Sequence, residues 1–215
     1  MGISTKKFLT IILSISLLFL VSCGDRPTGS DTGGSGKGDA LLSSVPKATG
    51  TPLSEDATDF SGTTTYTGTL NIDETGLDFT GDFMGKTKKD FIEEMKKDSA
   101  TMEFILTVTG NKLTLKENTA SGDIFFENKI LSKDGNKYNA DIEENDSGGG
   151  NYMKTKNYIE FTKSTDNKIT GVKFVKGYSY KGKMDHSDDR VNWITIDVDY
   201  GMITTYTGDL TKQVN

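Results

Sequence analysis

One cysteine, one histidine, one tryptophan and three prolines are all that 215 residues hold of those four types, and each shortage closes off some chemistry. The lone Cys23 rules out an intrachain disulfide, so the folded part must stand on its core. The lone His186 would have to serve in any histidine triad or two-histidine metal site. Its setting, Lys183-Met184-Asp185-His186-Ser187-Asp188-Asp189-Arg190, reads as a polar turn. Basic charge is short as well. The formal charge is −6, and removal of residues 1–22 would take Lys6 and Lys7 but no acid, leaving −8. A chain so acidic is a poor partner for nucleic acid or for anionic lipid headgroups. The apolar stretch near the N-terminus, Phe8–Val21, has only 14 residues, too few to span a bilayer comfortably.

That stretch follows Lys6-Lys7 and has the make-up of a secretory signal, a basic start and then an apolar run. It ends in Leu20-Val21-Ser22-Cys23: an apolar residue at −3, a small one at −1, then cysteine. This resembles the lipobox of bacterial lipoproteins. The resemblance implies a signal peptide over 1–22, cleavage before Cys23, diacylation of its sulfur and acylation of the new N-terminus. The protein would then sit in the cell envelope, lipid-anchored to a bacterial membrane and either periplasmic or surface-exposed. Two or three acyl chains, at about 0.8 kcal/mol per buried methylene, hold a protein there essentially permanently.

Residues 24–61 are dominated by Gly, Ser, Thr and Asp and contain every proline. Such composition offers little to bury and predicts a disordered tether over 23–61, with a reach on the order of 35 Å. Within it, Gly33-Gly34-Ser35-Gly36-Lys37-Gly38-Asp39 suggests a phosphate-binding loop. The spacing excludes one, because Asp31 stands where the first glycine belongs and Gly38 follows the lysine.

From about residue 62 the texture changes to a single β domain, 62–215. Apolar and polar residues alternate in short runs broken by Gly, Asn and Asp. In Trp193–Tyr200 the residues Ile194, Ile196, Val198 and Tyr200 share one face. The pattern predicts strands over 63–72, 77–84, 102–109, 112–118, 122–130, 137–143, 152–163, 168–180, 191–199 and 203–211. Gly110-Asn111, Asp134-Gly135 and Tyr200-Gly201 mark turns. Thr87-Lys88-Lys89-Asp90 forms a capping box that opens one short helix, about 88–98, with Phe91, Ile92 and Met95 as its apolar stripe. That helix could cover an edge of a sheet or act as a lid over a cavity.

Two heptapeptides nearly coincide. Thr64-Thr65-Tyr66-Thr67-Gly68-Thr69-Leu70 and Thr204-Thr205-Tyr206-Thr207-Gly208-Asp209-Leu210 differ only at Thr69 against Asp209. In a strand the Tyr, Gly and Leu lie on one face. A recurring strand glycine suits a bend and leaves room for a neighbouring ring. We therefore expect 63–72 and 203–211 to be neighbours in a mainly β fold, an antiparallel up-and-down barrel or strongly curved meander sheet of about 8–10 strands. A lipobox, a tether and such a meander resemble the calycin-type barrels found among bacterial lipoproteins, although the Gly-x-Trp of lipocalins is absent. The polar, charged texture of residues 130–144, ILSKDGNKYNADIEE, also resembles spirochaetal surface lipoproteins with their Lys-, Glu- and Thr-rich sheets.

No pattern for catalysis emerges. Asp185, Asp188 and Asp189 lack calcium-loop spacing, with Arg190 at the glycine position, and Asp141–Asp146 fails likewise at Asp146. No pair of carboxylates stands out for glycoside chemistry. Tyr66, Tyr178, Tyr180, Tyr200 and Tyr206 could line a pocket or pack a sheet. The reading is a non-enzymatic protein without a cofactor. It would bind a small apolar or amphipathic ligand in its barrel or present a sheet to a protein partner. Its contact with the membrane runs through Cys23. Cys23→Ser should abolish partitioning into the detergent phase, and a variant as firmly membrane-bound as its parent would rule the anchor out.

Overall fold

The computed structural model describes residues 36–164, 168–187 and 193–213, side chains at 185–187 and 193–194 excepted. The described residues build eleven strands, all paired antiparallel: β1 (Thr51–Pro52), β2 (Thr63–Ile72), β3 (Asp78–Asp82), β4 (Thr101–Thr109), β5 (Lys112–Glu117), β6 (Ile124–Ile130), β7 (Ser132–Asp134), β8 (Lys137–Gly148), β9 (Asn151–Lys163), β10 (Lys168–Ser187) and β11 (Trp193–Lys212). They form one strongly curved, nearly closed barrel-shaped sheet in the order β1-β7-β8-β9-β10-β11-β2-β4-β5-β6, with β3 also on β11. Among the described residues two short α-helices accompany it, α1 (Lys37–Leu42) and α2 (Lys88–Asp98).

The paired heptapeptides are neighbours. Tyr206 lies opposite Ile72 and Thr211 opposite Thr67. Tyr66, Leu70, Tyr206 and Leu210 are all buried in the same core. A Cβ on Gly68 would stand 2.8 Å from the Asp209 carbonyl oxygen, and one on Gly208 would stand 3.0 Å from Leu70 Cδ2. The glycines thus permit a close approach of β2 and β11. Outward, Thr63 and Thr65 meet Thr109 and Thr107 of β4, with hydroxyl separations of 3.1 and 3.3 Å.

The barrel's seam is elsewhere. β6 pairs with β5, and β7 with β8. Only Leu131, fully buried, separates β6 from β7. One continuous segment therefore lends its first half to one side of the ring and its second half to the other. β2 and β3 do the same along β11, meeting residues 206–212 and 199–203 in turn. The turn between them is fixed by Asp73, whose carboxylate accepts the Thr75 N–H at 3.0 Å.

Two cores result. The first fills the barrel with Phe104, Leu106, Phe125, Phe126, Phe174 and Tyr206 among others. The second lies where β10 and β11 run on beyond the barrel, under β3 and α2. The capping box of α2 forms as the sequence predicts, with Thr87 Oγ1 accepting the Asp90 N–H and Asp90 accepting the Thr87 N–H. Phe91 stacks on Phe79 at 5.0 Å, so α2 serves as a cover over the second core.

Two expectations are corrected. The stretch 36–61, expected as tether, runs as a strap across the outside of the sheet. Leu42 and Val45 are buried against Tyr158, Val175 and Ile203, each worth about 1.5–3 kcal/mol. Ala48 and Thr49 donate their N–H groups to Asp141 and Asn139, and Phe60 is buried in the barrel's own core. A few apolar residues widely spaced in a polar segment are enough because the sheet supplies the rest of the contact. Second, Tyr200-Gly201 makes no turn: 193–199 and 203–211 fall in the single strand β11, residues 191 and 192 lying outside the described residues. Gly201 is there for room, since its Cβ would stand 2.5 Å from Gly38 Cα. Gly201→Val should therefore lift the strap and destabilise by about 1–3 kcal/mol. Urea unfolding of the variant in a chain lacking 36–45, where the cost should largely vanish, checks the cause.

Candidate functional site

Cys23 lies outside the described residues, as do Asp188, Asp189 and Arg190, and the side chains of Asp185 and His186 are likewise undescribed. The five tyrosines do not share a pocket. Tyr66 and Tyr206 belong to the first core and Tyr178, Tyr180 and Tyr200 to the second. Burial raises all five phenols, Tyr206 to about 12, which keeps them protonated and suits them to packing. The glycine-rich stretch from Gly36 opens the strap, and the Lys37 N–H is taken by Asp199 Oδ1 at 2.6 Å. No three potential ligands among His, Cys, Asp and Glu cluster for a metal among the described residues.

Asp141–Asp146 has a different role. Asp141 holds the strap, and Glu143 pairs with Lys154 at 2.6 Å and Lys156 at 3.1 Å. Among the described residues, 140–148 of β8 pair with β9 alone. Acids along such an edge discourage another strand from adding to it.

Two sites escaped the sequence reading. One lies inside the ring, where Asn157, Lys176 and Thr204 form a row across β9, β10 and β11. Lys176 continues the inward series Val172, Phe174, Tyr178 and Tyr180. Asp123 Oδ2 stands 3.7 Å from its Nζ, and the Phe125 ring centroid lies 5.0 Å away. Burial pulls the lysine's pKa down against the opposing pull of Asp123 and Glu117. Burial, with Asp123 beside it, pushes Glu117 up. Asn157 Nδ2 donates to the Phe125 carbonyl at 3.4 Å, and its Oδ1 is buried without a protein partner. These contacts tie the start of β6 to the inner face of β9 and β10, so the ion pair latches the seam. A lysine in phase with an apolar face was the available signal.

The other site is the barrel end, closed by Asp59 and Phe60. Asp59 Oδ1 accepts from Tyr138 Oη at 2.6 Å and pairs with Lys133 Nζ. Hydrogen bonds from Lys133 and then Tyr138 hold this carboxyl below its ordinary pKa. Phe60 meets Tyr138 edge-on at 5.0 Å and Phe161 at 6.4 Å. Lys163 Nζ lies 4.8 Å from the centre of the Phe60 ring and donates to the Asp59 carbonyl. An isolated aromatic in a polar stretch was the signal here.

No family model matches the chain, and no curated protein matches it.

Glu117 gives a signed pH dependence. Its folded pKa is raised, so as pH climbs from the ordinary glutamate value through the raised one the unfolded chain releases its proton first and stability falls. Urea midpoints followed from about pH 4 to about pH 7 should decline less steeply in Glu117→Gln than in the parent.

Proposed function

We propose that the mature chain is an envelope lipoprotein, held by acylated Cys23, whose domain works by recognition and presents the outside of a filled barrel to a protein partner. The observation that carries this reading is the filled centre. Phe104, Phe125, Phe174 and Tyr206 meet one another with ring separations between 4.9 and 6.5 Å, where an apolar ligand would otherwise sit. The lipobox at Leu20–Cys23 supports the anchor. The outward faces of β2, β4 and β5, rich in Thr, Lys and Glu, lie on the convex side and are available for contact.

A second reading, a small amphipathic ligand within the barrel, draws on Lys176 and the unpartnered Asn157 oxygen. Native mass spectrometry of protein purified without detergent separates the two. The surface reading expects the bare chain mass, and a stoichiometric lipid-sized adduct would replace it with the ligand reading. A photo-crosslinker at outward Thr67 in intact cells should yield one discrete protein adduct. The same probe at inward Leu115 should yield none.

A further inference from the structure

The strap's last part is held in an unusual way. Leu53 donates its N–H to the Leu131 carbonyl, and the Gly62 carbonyl accepts from Gly110. Between these fixed points the backbone hydrogen bond is local, Ala57 to Ser54. Ser54, Glu55, Asp56, Ser61 and Gly62 are exposed. Asp59 and Phe60 are what fasten this stretch to the sheet.

The receptacle does not depend on them. Lys133 lies opposite Tyr138 across β7 and β8, and Tyr138 lies opposite Phe161 across β8 and β9. Three adjacent strands thus place an ammonium, a phenol and a ring in one row, and Lys163 stands two residues beyond Phe161. The row supplies two cations and a hydroxyl donor around an aromatic slot, and it would remain if the loop swung out on Leu53 and Gly62. Its complement is a carboxylate next to an aromatic ring, which is what the chain's own Asp59-Phe60 provides.

The geometry points to a recognition site for an acidic–aromatic segment of a partner protein, an Asp or Glu followed by an aromatic residue, with Asp59-Phe60 as a resident occupant that the partner displaces. This rests on the surface-recognition reading and gives it a place, the barrel end. Charge favours the partner: Lys133 and Lys163 both lose an anionic or carbonyl acceptor to water when the loop leaves, and a ligand that restores one regains a charge-assisted hydrogen bond. The tethered occupant competes at an effective concentration on the order of millimolar, so free ligand should bind the closed form weakly.

The test uses a capped Asp-Phe dipeptide as probe, a capped Asn-Ala dipeptide as control, and the chain lacking only residues 1–23. The Asp59→Ala, Phe60→Ala double variant should bind Asp-Phe saturably, tighter than the parent, with shifts at Tyr138 and Phe161 in NMR. Lys133→Gln in that background should weaken binding about tenfold or more, as expected for a charge-assisted hydrogen bond. If the double variant fails to fold, Asp59→Asn, which keeps the ring and loosens its hold, takes its place with the same expectations. A folded opened variant that binds Asp-Phe no better than Asn-Ala overturns the site. That result with surface crosslinking intact sinks this site alone, whereas loss of crosslinking from the outer faces sinks the reading beneath it.

Discussion

Strand β11 has partners along each edge and packing on each face. β10 pairs with it from Trp193 to Thr211, while β3 and then β2 share the other edge. Inward it gives Tyr200 and Met202 to the second core and Tyr206 and Leu210 to the first. Outward it offers Gly201 to Gly38 and Ile203 to the strap's Leu42 and Val45. A strand satisfied on every side cannot shift register by one residue without turning both cores outward. That register sets where β2 and β3 end, where α2 lies and where the strap crosses.

Much of this architecture was legible. The boundaries of β2 and of α2 follow from a polar–apolar alternation and a capping box, both local signals that tertiary contacts did not override. The repeated Thr-Thr-Tyr-Thr-Gly phrase placed β2 beside the end of the chain because two strands sharing a glycine-relieved face suit one another. What could not be read was which glycines mark turns. Gly110 and Gly135 lie in turns with φ of 59° and 62°, whereas Gly201 lies mid-strand under a neighbouring backbone. The two uses differ only in what stands opposite, and that information is not local.

The site was less legible for the same reason. The strap has the composition of a tether, since five large apolar residues in twenty-six, Leu41, Leu42, Val45, Leu53 and Phe60, do not fold by themselves. They become ordered because β8–β11 present a groove in which Gly177 leaves space for Leu42 and Val45, its Cβ position lying 2.8 and 2.7 Å from their methyls. Likewise Lys176 and Asp123 are commonplace residues until the fold sets them facing across the seam. Tyr66 and Tyr206 against Tyr178, Tyr180 and Tyr200 fall into separate cores because the barrel ends partway along β10 and β11.

The arrangement around β11 also bears on how such a chain can be made. Synthesis delivers residues in order, yet α1 rests on β10 and β11, β3 is hydrogen-bonded to β11, and β2 reaches only one of its two neighbours until residues 206–212 arrive. The first elements to emerge therefore wait for the last. Their apolar faces, Leu42, Phe79 and Phe91 among them, stay open throughout, and closure joins segments more than a hundred residues apart, which makes folding slow and late. A chain truncated shortly before β11 would not be a smaller version of this protein. It would lack the strand on which its beginning is assembled.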